Sequence, residues 1–143
     1  MTQLGPAAPS GLICLESKTL VQPSLPHQRT LVAALFNLQK VTAHQLQAAG
    51  ASYTTANQDL LVADRIDFHP TDILEDSDGS LLIIDTGGWY DLCCPTSRID
   101  QKTAPGGIYR LSRKSAIATP SPRSEPTVNP VNNLSLIHIS EPT

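Results

Sequence analysis

The chain is poor in the groups that most often carry chemistry or bind a protein to something large. Aromatic residues make up 4% of its 143 residues, so the adjacent Trp89 and Tyr90 stand out. Its three cysteines, Cys14, Cys93 and Cys94, form an odd set with neither zinc-ligand spacing nor a CxxCH haem-attachment motif. Charged residues amount to 16%, with a net charge of −3. That balance gives no electrostatic footprint for nucleic acid or for an anionic membrane surface. No apolar run approaches the ~20 residues that span a bilayer. The opening MTQLGPAAPS has neither a basic n-region nor an apolar h-region, so it reads as no signal peptide. The length leaves room for about one domain.

What is present is a succession of short apolar segments separated by Gly, Pro, Asp and Ser. Residues 1–66 contain PSGLICLES, TLVAALFNLQKVTAHQLQ and ASYTTANQDLLVAD. A helix over 30–48 is the rival reading, because Ala, Leu and Gln are good helix formers. Asn37 divides that span, and Val41, Thr42 and His44 alternate as a strand would, so two strands are favoured, with Gly50 as the next turn. Residues 67–114 repeat the pattern: TDILE as a strand, DSDG as a turn, SLLIID as a strand buried on both faces, a long loop from Thr86, and GIYRL as a returning strand. The small basic cluster Arg110 to Lys114 reads as a solvated strand end. Residues 115–133, with four prolines among Ser, Thr and Asn, read as a disordered linker. The fold class expected is all-β, in a sandwich, barrel or propeller.

The stretch DILEDSDGSLLIIDTGGW is the place to look for chemistry. Setting Gly79 at position six of a calcium loop puts Asp76, Asp78 and Asp85 at ligand positions, but Leu74 falls at the first position and strand-forming residues follow. An Asp-Gly hairpin turn is the better account. Asp72 and Asp85 could form a catalytic acid pair if they faced one another. The simpler expectation is that Asp85 accepts backbone amides at its strand end. His69, held extended by Pro70, reads as packed or backbone-bonded. Cys93 and Cys94 are free thiols or a vicinal disulfide, and Cys14 reads as a small buried hydrophobe. The candidate rim-loop positions are therefore His69, Asp72, Asp85, Trp89, Cys93 and Cys94, with no residue assigned as catalytic, cofactor-binding or metal-binding.

APSGL, LVAALFNLQKV, DFHPTDILEDSDGSLLIIDTGGWYDLCCPTS and GGIYRL occur in this order across about residues 6–114. That order resembles the last propeller blades of the membrane-bound dehydrogenase-like proteins of planctomycete-type bacteria. Those in turn are similar to soluble quinoprotein glucose and sorbosone dehydrogenases. The resemblance implies a partial β-propeller of about two four-stranded antiparallel blades, one in residues 1–66 and one in 67–114 with a long rim loop. It implies a periplasmic or extracytoplasmic parent that oxidises a sugar or alcohol and passes electrons to haem. Pyrroloquinoline quinone, calcium or haem would belong to that parent, and this section would be inactive by itself. The remaining blades would be its partners, with a carbohydrate as substrate. Where the resembled enzymes carry arginines, this chain has His69 and Thr71, and Phe36 stands where a lysine is expected. A non-catalytic propeller that binds glycan or protein is the alternative. Leu134 to Thr143, LSLIHISEPT, resembles the in-frame translation of a transposase mosaic-end adapter used in sequencing libraries. It is accordingly left out of the expected fold, His138 receives no role, and the natural chain is expected to continue.

Overall fold

In the computed structural model the described residues are 4–23, 27–65, 67–88, 105–114, 128–130 and 134–139. They form nine strands: β1 (Pro9–Cys14), β2 (Thr30–Leu35), β3 (Lys40–Ala49), β4 (Ser52–Ala63), β5 (Pro70–Glu75), β6 (Leu81–Asp85), β7 (Gly107–Arg113), β8 (Val128–Pro130) and β9 (Leu134–Ile139). A single 3-10 turn, Phe36–Leu38, joins β2 to β3. The protein is all-β, as its composition of short segments indicates. The first sheet has the order β1-β2-β3-β4-β8 and the second β5-β6-β7-β9; neighbours are antiparallel and neither sheet closes on itself.

The helix rival over 30–48 fails at Asn37. Its side-chain amide donates to the carbonyl of Pro6, and its Oδ1 accepts the amide of Ala8 at 2.7 Å. Gln39 then takes a left-handed conformation, φ 49°, and the chain doubles back into β3. Val32 and Ala34 of β2 and Val41 and Ala43 of β3 are buried in one cluster with Leu60 and Leu61 of β4. The same cluster takes in Ile73, Leu81, Ile83, Tyr109 and Leu111 from the second sheet, so the two sheets share one core. Phe68, 1% exposed, sits between β4 and β5 and meets the ring of Tyr109 edge-on at 5.7 Å. Each buried Leu or Ile of this kind contributes about 1.5–3 kcal/mol.

The sheets are joined along their first strands. The Ser10 hydroxyl of β1 donates to the carbonyl of Pro70 in β5 at 2.7 Å. The amides of Glu16 and Ser17, just beyond β1, donate to the carboxylate of Glu75 at the end of β5, at 2.7 and 3.0 Å. Gly11 is needed for this approach, since a Cβ there would stand 2.9 Å from the Cα of Asp72. Gly79 closes the β5–β6 turn at φ +78° and is roofed by the hydroxyls of Ser17 and Thr19.

Two expectations, for SLLIID and for Cys14, need correction, and two segments given no place in the expected fold form strands. SLLIID is not covered on both faces: Leu81, Ile83 and Asp85 are buried, whereas Ile84 is 38% exposed on the opposite face. Within the expected linker, Val128–Pro130 forms β8 and pairs with Leu61–Ala63. Leu134–Ile139, left out on sequence grounds, pairs with β7 as the fourth strand of the second sheet. Cys14 is exposed, because it shares the outward phase of β1 with Leu12.

Gly79→Ala combines a left-handed backbone with a steric clash and should cost about 3 kcal/mol or more. Gly50→Ala, at φ +62° with open space around it, should cost only about 1–2 kcal/mol. Urea unfolding of both variants tests the ranking, and equal losses would contradict the packing described for the Gly79 turn.

Candidate functional site

Of the candidate residues named from the sequence, His69, Asp72 and Asp85 lie among the described residues; Trp89, Cys93 and Cys94 lie outside them. The structure brings His69 and Asp85 together. Pro70 opens β5 opposite Asp85 and has no N–H to give the ladder. The Asp85 carboxylate takes the pairing over: its Oδ1 accepts the amide of His69 at 2.8 Å and that of Gly87 at 2.8 Å. Asp85 is 5% exposed, so these are charge-assisted bonds in a sheltered place, about twice as strong as neutral ones. Its expected role at the strand end is thereby realised.

His69 is 4% exposed. Its Nδ1–H donates to the carbonyl of Gly87 at 2.6 Å, which fixes the tautomer, and its ring stacks on Phe36 with centroids 4.5 Å apart. A histidine held on one nitrogen and stacked on one face is a positioned structural group. Nearby, the Tyr109 phenol is raised above its ordinary range, first by burial and then by the negative charge of Asp85, with Arg65 pulling the other way. Asp72 does not join this group. It is exposed, pairs with outward-facing Ile84, and its Oδ1 accepts the amide of the next residue, Ile73, at 2.8 Å. The strand alternation that buries Ile73 and Asp85 turns Asp72 the other way, so the two acids do not form a catalytic pair.

The acidic turn is organised by a residue that the sequence reading assigned only to a solvated strand end. Arg110 of β7 reaches across the second sheet, with Nη2 2.6 Å from Asp76 Oδ2 and Nη1 3.3 Å from Asp78 Oδ2 and 2.5 Å from Ser80 Oγ. Asp78 Oδ1 also accepts the amide and hydroxyl of Ser80 at 2.8 and 2.5 Å, and Gly79 N–H donates to the carbonyl of Asp76 at 2.8 Å. This is a hairpin turn with its carboxylates engaged. Asp85, the third acid of the calcium-loop reading, is at the far end of β6 and faces the amides of His69 and Gly87. Among the described residues no group of three or more His, Cys, Asp or Glu is placed to hold a metal ion.

An open groove of about 560 Å³ runs between the end of β1 and the β5–β6 turn, lined by Ile13, Cys14, Leu74 and Glu75 among others. Glu75 on its floor is committed to the Glu16 and Ser17 amides. The sequence offered a weak signal for Glu75, an acid closing an apolar strand, and a better one for Arg110, a lone cation between two core-facing residues, Tyr109 and Leu111. Neither pattern names the partner. Comparison of the chain with known protein families, with curated proteins and with solved structures gives no match.

Asp85→Ala should destabilise the fold by about 2–4 kcal/mol by leaving two sheltered amides without an acceptor, and Asp85→Asn by less. Acid sensitivity follows from the carboxylates of Glu75, Asp76 and Asp78. Burial pushes Glu75 up, but the Ser17 hydroxyl and the Glu16 and Ser17 amides outweigh it and leave the carboxyl below its ordinary value. Asp76 is lowered chiefly by Arg110, and Asp78 chiefly by Ser80. In each case the unfolded chain binds more protons over the acid range. Their contribution is therefore complete above the ordinary carboxylate values, about 4, and is lost as pH falls through and below them. Arg110→Gln should make that acid loss shallower without abolishing it, since Glu75 and most of the Asp78 contribution remain. Unfolding free energies measured from pH 7 to 2.5 for both chains check the slope.

Proposed function

We propose that this chain is a structural section of a larger β-propeller, two neighbouring sheets of a ring of the dehydrogenase-like kind its sequence resembles. The observation that carries the reading is the outer face of the second sheet. Leu74, Ile84, Ile108 and Ile137 are 60%, 38%, 42% and 55% exposed there, with half-buried Leu82 among them. Strand pairing sets Leu74 beside Leu82, Ile84 beside Ile108, and Arg110 beside Ile137, so these side chains form one surface. Water in contact with such a surface forgoes about 25 cal/mol for each Å² that burial would recover, and contiguous patches of this kind mark contact sites. Another sheet packed on it at about 10 Å, the usual face-to-face spacing, would cover it.

In this reading the parent oxidises a sugar or alcohol in an extracytoplasmic compartment and passes electrons to haem, and any quinone or calcium is held by residues of other blades. The section itself supplies scaffold. A second reading, a non-catalytic ring that binds glycan or protein, draws support from a separate observation. At the positions where the resembled enzymes carry cations, Phe36 and buried His69 are instead stacked on one another and His69 is tied to Gly87. An interlocked aromatic pair offers a quinone carboxylate nothing to bind.

Two experiments separate the parts of the proposal. Ile84→Lys with Ile108→Lys should change the stability of the isolated chain by no more than about 0.5 kcal/mol, as exposed substitutions do. In the longer protein the same pair should cost about 3 kcal/mol or more, because unpaired charge would be buried. Equal small effects in both contexts would overturn the ring. The full parent, supplied with pyrroloquinoline quinone and an artificial electron acceptor, should reduce the acceptor in the presence of an aldose or other alcohol. Absence of turnover with every sugar tried would remove the enzyme reading and leave the binding one.

A further inference from the structure

We propose that the outer edge of β7 is a strand-accepting site, taking an extended peptide antiparallel to Gly107–Arg113 with apolar side chains at alternate positions. In this structure the site is filled from within the chain. Leu134–Ile139 lies along it in unbroken register, from Arg113 opposite Leu134 to Ile108 opposite Ile139. Leu134 is 8% exposed and joins the core, Leu136 packs against it beside Leu111, and Ile137, on the opposite phase, is 55% exposed. The edge therefore reads backbone hydrogen-bonding groups and two inward apolar side chains, which is how strand addition obtains affinity and selectivity.

The way the strand arrives supports exchange. Arg113 and Leu134 face one another directly, a geometry that a two-residue hairpin could connect. Residues 114–133 lie between them instead, and part of that length is spent pairing β8 with β4 on the other sheet. β9 follows β8 of the other sheet, so it is added to β7 from outside the β5–β6–β7 meander and not by a hairpin from β7. That LSLIHI fills the place, although its sequence is set apart from the rest of the chain, fits a site that asks for alternation and little else. The inference is independent of the ring, because a ring section and a self-contained two-sheet domain would both present this edge.

Covalent attachment to the same chain gives the resident strand an effective concentration on the order of millimolar, so a free peptide competes poorly until the resident one is weakened. The test uses the full chain carrying Leu136→Asp and a fluorescent peptide with the sequence of residues 128–139. The peptide should bind this variant saturably and at least tenfold more tightly than it binds the unchanged chain, and a peptide carrying the same Leu136→Asp change should not bind. Equal binding to both chains, or binding by the altered peptide, would place it on the exposed apolar face and overturn the proposal, as would no binding to a folded variant. Where Leu136→Asp prevents folding, Leu136→Ala keeps the backbone pairing while weakening the resident strand. Excess peptide should then speed amide exchange over 134–139 while β7 stays protected, and a scrambled peptide should do neither. Unchanged exchange over 134–139 would overturn it.

Discussion

Four backbone amides outside the strand ladders fix the turns of this chain, two where the first sheet meets the second and two at one end of the second sheet. Those of Glu16 and Ser17 have left the first sheet, and those of His69 and Gly87 flank the strands of the second, so none has a ladder partner. Two carboxylates provide the acceptors: Asp85 for the second pair, which is buried and must find one, and Glu75 for the first, which is partly exposed. Each carboxylate ends a strand, and each fixes the direction in which the next segment leaves. Glu75 draws the end of β1 onto the end of β5, and Gly11 lets the two backbones approach. Asp85 holds the chain around Pro70, which cannot donate. The shared core of Val32, Leu61, Ile73, Ile83 and Leu111 then packs between sheets whose relative placement is already set along one side.

This explains why a run of five carboxylates need not be a reactive centre. Glu75 and Asp85 are occupied by amides, Asp76 and Asp78 by Arg110 and the turn, and Asp72 by its neighbour's amide. The Arg110 contacts are partly exposed, and pairs of that kind add little to stability. Their effect is local: they hold the Asp76–Ser80 turn over the hydroxyls of Ser17 and Thr19, close to the Glu75 latch. Catalytic work by a carboxylate needs freedom to exchange a proton with a ligand, and these groups are committed to other parts of the chain.

Much of this was legible from the residues alone, for identifiable reasons. Asn37 in an otherwise helix-compatible span signalled a break, because its side chain competes for local backbone groups, and it does so with Pro6 and Ala8. The Asp-Gly step signalled a turn, and His69 before Pro70 signalled extended geometry. What stayed hidden was non-local. Alternation in SLLIID tells which residues share a face but not whether another sheet covers that face. Arg110 and Asp76 are far apart in sequence, and only the β6–β7 register brings them together. Cys14 sits in an apolar stretch, yet it shares the outward phase of β1 with Leu12, and which phase faces the core is set by how the sheets pack. Proline-rich composition likewise obscured β8, since Val128–Pro130 needs only an edge to pair with.

The two sheets differ in the make-up of their outward faces. On β3 of the first sheet Lys40 pairs with Asp59, and half-buried His44 hydrogen-bonds to Asn57 and to buried Thr42, while Leu12, Tyr53 and Val62 of the same sheet are exposed. The second sheet turns Leu74, Leu82, Ile84, Ile108 and Ile137 outward, relieved by Asp72 and Arg110. A strand that faced water throughout its history would gain nothing from isoleucine at 84 and 108, whereas a strand between two sheets would need it. The interior of the chain is organised by carboxylates and amides that ask for no partner. The exposed apolar face is the part of the surface that covering would stabilise.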